Sequence, residues 1–146
     1  DRPLLDKGVS QANVLGNYLQ THHIKLGKII CSSAVRTQQT RSVICQHLVE
    51  QCSFELSKKL YLCSYGQILD VIENLGKNEQ TVTIIGHNEG ISQLASYLSG
   101  ESIHLRTSEM ISLTIPFENW DYLSEGTAGI IFQYRPEVFL PHPVIS

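Results

Sequence analysis

Two side chains in this sequence, His87 and Arg36, stand where chemistry on an anion could be done. His87 follows the apolar run Val82-Thr83-Ile84-Ile85 and precedes a segment in which Ile91, Leu94, Ala95 and Leu98 recur at helical spacing. That pattern predicts a short buried strand, a tight turn and an amphipathic helix. Asn88 suits the N-cap of the helix and Gly100 its far end. A histidine at a strand's carboxyl end lies at the edge where open α/β sheets bind ligands. The helix start adds free N–H groups and partial positive charge, which favour a phosphate-like anion. The alternative is a histidine that caps the helix or fills the turn.

Arg36 occupies an equivalent place. Lys28-Ile29-Ile30-Cys31 reads as a second short strand, and Ser32 or Ser33 can cap the helix that follows, with Val43, Ile44 and Leu48 inward. Arg36 falls in the first turn of that helix, where its charge opposes the helix dipole. An anion reached across the strand ends would account for it, because a guanidinium fork matches phosphate oxygens in a bidentate way. The alternative is an exposed arginine paired with some carboxylate.

The elements that must hold these residues follow from periodicity. A helix from Asp6 to about His22 carries Ala12, Leu15 and Leu19 on one face, with Gly27 ending the connection to the next strand. Phe54-Glu55-Leu56 reads as a short edge strand. A helix over residues 65–75 buries Ile68, Val71, Ile72 and Leu75, with Gly76 as its C-cap. Met110 to Ile115 alternates with period two, and residues 129–134 return antiparallel after a long loop holding Trp120. Pro136, Pro141 and Pro143 make the tail irregular. Alternating strand–helix units followed by an antiparallel pair predict one α/β domain over residues 1–146: a three-layer sandwich with a mainly parallel central sheet flanked by helices.

Composition sets the outer limits. A hydrophobic share of 42% with 17% charged residues is that of a globular domain. A net charge of −3, with the basic residues scattered, offers no nucleic-acid surface. No apolar run reaches the ~20 residues that span a bilayer, so no membrane partner is expected. Cys31, Cys45, Cys52 and Cys63 form no C-x-x-C pair and no zinc spacing. A disulfide framework is not expected at this size, and a reduced cytoplasmic location fits best.

The wording around the two sites is specific. Ser32-Ser33-Ala34-Val35-Arg36-Thr37-Gln38-Gln39-Thr40 resembles the S-x-x-x-R-x-x-Q-T stretch of the histidine phosphatase superfamily. Ile85-Gly86-His87-Asn88-Glu89-Gly90 resembles its second histidine motif, G-H-N-x-G. Asp1-Arg2-Pro3-Leu4 with Gly8, Thr107-Ser108 before a strand, and Trp120 are similar to the short SixA-type phosphohistidine phosphatases. The resemblance spans nearly the whole chain. It implies a phosphatase acting through a phosphohistidine intermediate on an R-H-G motif, with Arg36 binding phosphate oxygens. His87 would stabilise the transferring phosphoryl group, and helix-start amides near Asn88 would complete the cradle. The implied partners are a phosphorylated protein or small phosphorylated substrate and inorganic phosphate; no cofactor or metal is implied.

The sequence departs from the family pattern twice. No R-H-G occurs in it, so the nucleophile would lie on an upstream strand; otherwise the chain is an inactive member that binds phosphate or phosphoproteins. Residues 58–66 also offer no carboxylic acid, and Glu55 lies too far upstream to stand in. An alkoxide leaves poorly without a proton donor, whereas a protonated imidazole leaves readily, so P–N substrates are favoured over P–O esters. The resemblance further places the R-H-G strand at the sheet centre, between Lys28–Cys31 and Val82–Ile85. Those two strands are thus expected to be held apart by it, and direct pairing between them would signal a rebuilt sheet.

Overall fold

The computed structural model describes residues 2–76 and 78–136. The order is α1 (Asp6–Thr21), β1 (Lys28–Ser32), α2 (Val35–Gln46), β2 (Ser53–Ser57), α3 (Tyr65–Glu73), β3 (Val82–Ile85), α4 (Asn88–Ser99), β4 (Met110–Thr114) and β5 (Gly129–Tyr134). Single 3-10 turns lie at Lys58–Leu60 and Trp120–Tyr122. The tail prolines Pro141 and Pro143 fall outside the described residues.

β1 is the spine. It pairs in parallel with β2 on one side and β3 on the other. Ile29, Ile30, Cys31 and Ser32 are all fully buried, as a parallel strand covered on both faces requires. Side chains alternate along it. Ile29 and Cys31 pack with Ala12, Leu15 and Leu19 of α1 and Ile44 of α2. Ile30 packs on the opposite side with Ile68 and Ile72 of α3 and Leu94 and Leu98 of α4. Each large side chain so covered contributes about 1.5–3 kcal/mol. The predicted three layers are present: helices, sheet, helices.

Gly27 sets the entry to β1. Its φ of +61° is a left-handed turn, and a side chain there would collide with the Thr81 carbonyl. That approach lets the Lys28 N–H donate to the same carbonyl at 3.0 Å, which fixes the β1–β3 register. Both strands therefore end together, and their following turns meet at one edge.

β4 and β5 form a separate antiparallel pair with an irregularity at Ser112/Leu113. Met110, Phe132 and Tyr134 join the layer of α1 and α2, while Leu113 joins that of α3 and α4. The pair thus continues the middle layer without touching the parallel sheet through main-chain bonds. A cavity of about 680 Å3 lies between them, lined by Thr83, Ile84 and Ile85 from β3 and by Met110 from β4. Leu15, Leu19 and Leu26 line its apolar wall.

This corrects the expected sheet order. β1 and β3 are paired directly, and β1 has no free edge. The open edge is the far side of β3, across the cavity from β4. The expected order rests on the resemblance alone, since nothing local to either strand encodes strand order.

Smaller expectations also shift. Cys45 and Cys52 are joined in a disulfide, with Cα atoms 6.1 Å apart. The reversal from the end of α2 to the start of β2 brings them together, which spacing alone did not reveal. Cys31 is the small core residue expected, and burial pushes its thiol pKa up. Ala34, not Ser32 or Ser33, is the N-cap of α2. The C-cap of α3 is Asn74, two residues before Gly76. Gly100 ends α4 in the left-handed conformation its position suggested.

Candidate active site

β1 and β3 deliver Arg36 and His87 to one edge. Arg36 sits in the first turn of α2, and His87 is the N-cap of α4. Asn88, expected as the cap, is instead the first helical residue, because the turn after Ile85 is one residue tighter than the sequence suggests. All three line the same cavity, together with Arg2, Lys7, Arg106, Thr107 and Ser108. Glu109 is the sole carboxylate on the cavity wall among the described residues. Its Oε1 accepts the Arg106 N–H at 3.1 Å and lies 3.9 Å from Arg135 Nε, so its charge is already answered. The cavity mouth is therefore cationic.

Arg36 is exposed and has no carboxylate within ion-pair distance among the described residues. The alternative for it, a surface ion pair, is not found among the described residues. His87 is half-buried. Its Nε2 lies 3.2 Å from the hydroxyl of Ser32, and its ring meets Tyr61 edge-on at 5.5 Å between centroids. His87 makes no capping bond with its own side chain, so the first amides of α4 remain available. The first helical bond there is Ile91 N–H to His87 C=O at 3.1 Å.

Gly90 makes this packing possible. A Cβ there would stand 2.5 Å from the Cys63 carbonyl oxygen. Its absence lets the first turn of α4 rest on the 61–63 segment, which in turn holds Tyr61 beside His87.

Burial, and secondly the charge of Arg36, hold the His87 pKa below its ordinary value of 6.5. The unfolded chain binds this proton more readily. The group is silent above pH 6.5, costs stability as pH falls from there toward the folded value, and costs nothing further below it. A bound oxyanion acts the other way, because it favours the imidazolium. Sulfate carries a fixed charge over this range, so its affinity should rise as pH falls through the ring's bound-state pKa and level off below the free value. Titrating the His87 ring by NMR with and without sulfate checks this; a ring pKa unmoved at saturation would place the anion elsewhere.

Sequence reasoning missed Ser32 and Tyr61 as neighbours of His87, and Arg2 and Arg106 as cavity residues. Ser32 belongs to the quoted motif, but its contact is 55 residues away in sequence. Glu55 is confirmed as remote: it pairs with Lys28 at 3.2 Å on the sheet and does not line the cavity.

Residues 1–71, which include Arg36, match the family model of the histidine phosphatase superfamily (branch 1). That match covers just under half of the chain. An uncharacterized protein of Mycobacterium tuberculosis is 28% identical over 93% of this chain and 90% of its own length. One from Mycobacterium leprae is 26% identical, covering 93% and 88%. Among solved structures, a protein from Nakamurella multipartitia assigned as a SixA phosphohistidine phosphatase superposes with a TM-score of 0.81 at 22% identity, over 93% of this chain and 86% of that one. The protein histidine phosphatase SixA complexed with tungstate superposes with a TM-score of 0.79 at 20% identity, over 94% and 86%. The fold is therefore SixA-like. Direct pairing of β1 with β3 belongs to that fold and does not mark a rebuilt sheet. The family-model match over residues 1–71 supports a phosphatase. No helix among the described residues is long and apolar enough to cross a membrane.

Proposed function

We propose that this protein removes phosphate from phosphohistidine of a protein. In this reading an R-H-G strand fills the gap between β3 and β4 and carries the nucleophilic histidine to the cavity mouth. The observation that carries the reading is the convergence of Arg36 and His87 on one cationic cavity whose single carboxylate is already engaged. The nucleophile's nitrogen attacks phosphorus, the substrate's P–N bond breaks, and its imidazole, already protonated from solvent on the other ring nitrogen, takes the bonding pair and leaves as a neutral base. Water then attacks the phosphoenzyme and releases inorganic phosphate. Arg36 grips the equatorial oxygens, and His87 with the amides near Asn88 stabilises their growing charge. The SixA complex with tungstate supports an oxyanion in this place.

Substrate choice follows from the absent acid. Glu55 is turned to Lys28, and Glu109 is held as an acceptor, so among the described residues no carboxyl group at the cavity stands ready to protonate an alkoxide. A general acid contributes about 10²–10⁴ in rate, and an ester substrate forfeits it here. The natural polypeptide should thus turn over a phosphohistidine peptide at least ~100-fold better, in kcat/KM, than a phosphoserine peptide or an alkyl phosphate. Equal turnover of the ester would reveal an acid elsewhere. Phosphohistidine binding without turnover would identify a phosphoprotein-binding module.

A further inference from the structure

We propose that Ser32 is a positioning residue that holds His87 in the tautomer with its proton on Nδ1. The inference rests on reading His87 as the phosphoryl-stabilising histidine. Ser32 is fully buried at the end of β1, and its Oγ lies 3.2 Å from His87 Nε2. The same oxygen accepts the Ala34 N–H at 3.3 Å. The Ser32 carbonyl accepts the Thr37 hydroxyl at 2.9 Å, and the Thr37 hydroxyl also reaches the Ala34 carbonyl at 2.9 Å. The residue is thereby pinned on both sides and cannot turn away.

The direction of the bond follows from the proton count. A serine hydroxyl has one proton and two acceptor lone pairs. The Ala34 N–H occupies one lone pair. If Nε2 donated to the second lone pair, the buried hydroxyl proton would have no acceptor among the described residues, so Ser32 donates and Nε2 accepts. A neutral imidazole that accepts at Nε2 carries its proton on Nδ1. The depressed pKa keeps the ring neutral at neutral pH, where the choice of tautomer matters. A neutral ring of this form still offers an N–H donor to a phosphoryl oxygen, without a formal charge beside Arg36. When the ring does take up a proton, Nε2–H can donate back to the second lone pair, so the same hydroxyl serves both states. Tyr61, edge-on to the ring, limits its rotation from the other side.

The test reads the ring nitrogens of His87 by 15N NMR in the natural polypeptide, above the pH at which the ring titrates. The expected spectrum is protonated Nδ1 and bare Nε2, with Ser32→Ala moving the ring toward the opposite tautomer. Ser32→Thr, which keeps the hydroxyl, should preserve the wild-type pattern. In kinetics, Ser32→Ala should lower kcat by about 10–100-fold, less than loss of the ring itself, with KM little changed. A wild-type ring protonated on Nε2, or a tautomer unchanged in Ser32→Ala, overturns the proposal. The wild-type spectrum needs no variant to fold and no turnover to observe. A failure of the phosphatase reading would show instead as absent activity with the tautomer as expected.

Discussion

Replacing Arg36 with alanine in the natural polypeptide should reduce turnover of a phosphohistidine substrate by about 10²–10³-fold while leaving the fold almost untouched, the typical effect of removing one preorganised donor from a transition state. The side chain is exposed, sits on no apolar face and has no carboxylate partner among the described residues. Surface substitutions of that kind change stability by about 0.5 kcal/mol or less. Arg36→Lys separates charge from geometry. It keeps the positive charge but loses the planar fork, so most of the deficit should remain. His87→Ala should be similarly inactive but slightly less stable, by about 1 kcal/mol, because it strands the buried Ser32 hydroxyl. Steady-state kinetics beside thermal melts decide the matter. Wild-type turnover in Arg36→Ala would remove that residue from the phosphate site, and a collapse of the melting transition would make its role structural.

The placement of Arg36 and His87 at this edge was legible because it is local. A strand, a turn and a helix within about twenty residues place His87 at a strand end whatever the rest of the sheet does, and the same holds for Arg36 after β1. What required coordinates was non-local. The Cys45–Cys52 disulfide depends on how sharply the chain reverses after α2, and the contact between Ser32 and His87 depends on β1–β3 register, which Gly27 and Thr81 set far from either residue. Strand order is the clearest case. Period and length identify β1 and β3 as buried parallel strands, yet no residue within either says which edge its partner takes.

That order determines where the greatest stability change is expected. All four residues of β3 are only half-buried, although every one of its β1 neighbours from Ile29 to Cys31 is fully buried. The Lys28 N–H bonds to Thr81 C=O, so in a parallel ladder the main-chain groups of Thr83 and Ile85 turn to β1, and those of Val82 and Ile84 face away from it, toward the open edge. Across that cavity β4 has a partner only in β5. Each main-chain group left unmet in such a place costs about 1–3 kcal/mol, and the gap exposes several. The apolar wall of Leu15, Leu19 and Leu26 adds surface that a strand would cover at about 25 cal/mol per Å2. We therefore expect residues 1–146 joined to a preceding R-H-G strand to unfold at a far higher denaturant concentration than residues 1–146 alone, by several kcal/mol in free energy. Hydrogen exchange locates the gain. The Val82 and Ile84 amides should exchange freely in the shorter chain and become as protected as those of Thr83 and Ile85 in the longer one. Equal protection of all four amides without the added strand would mean that the gap is already closed, and the placement of the nucleophile between β3 and β4 would be wrong.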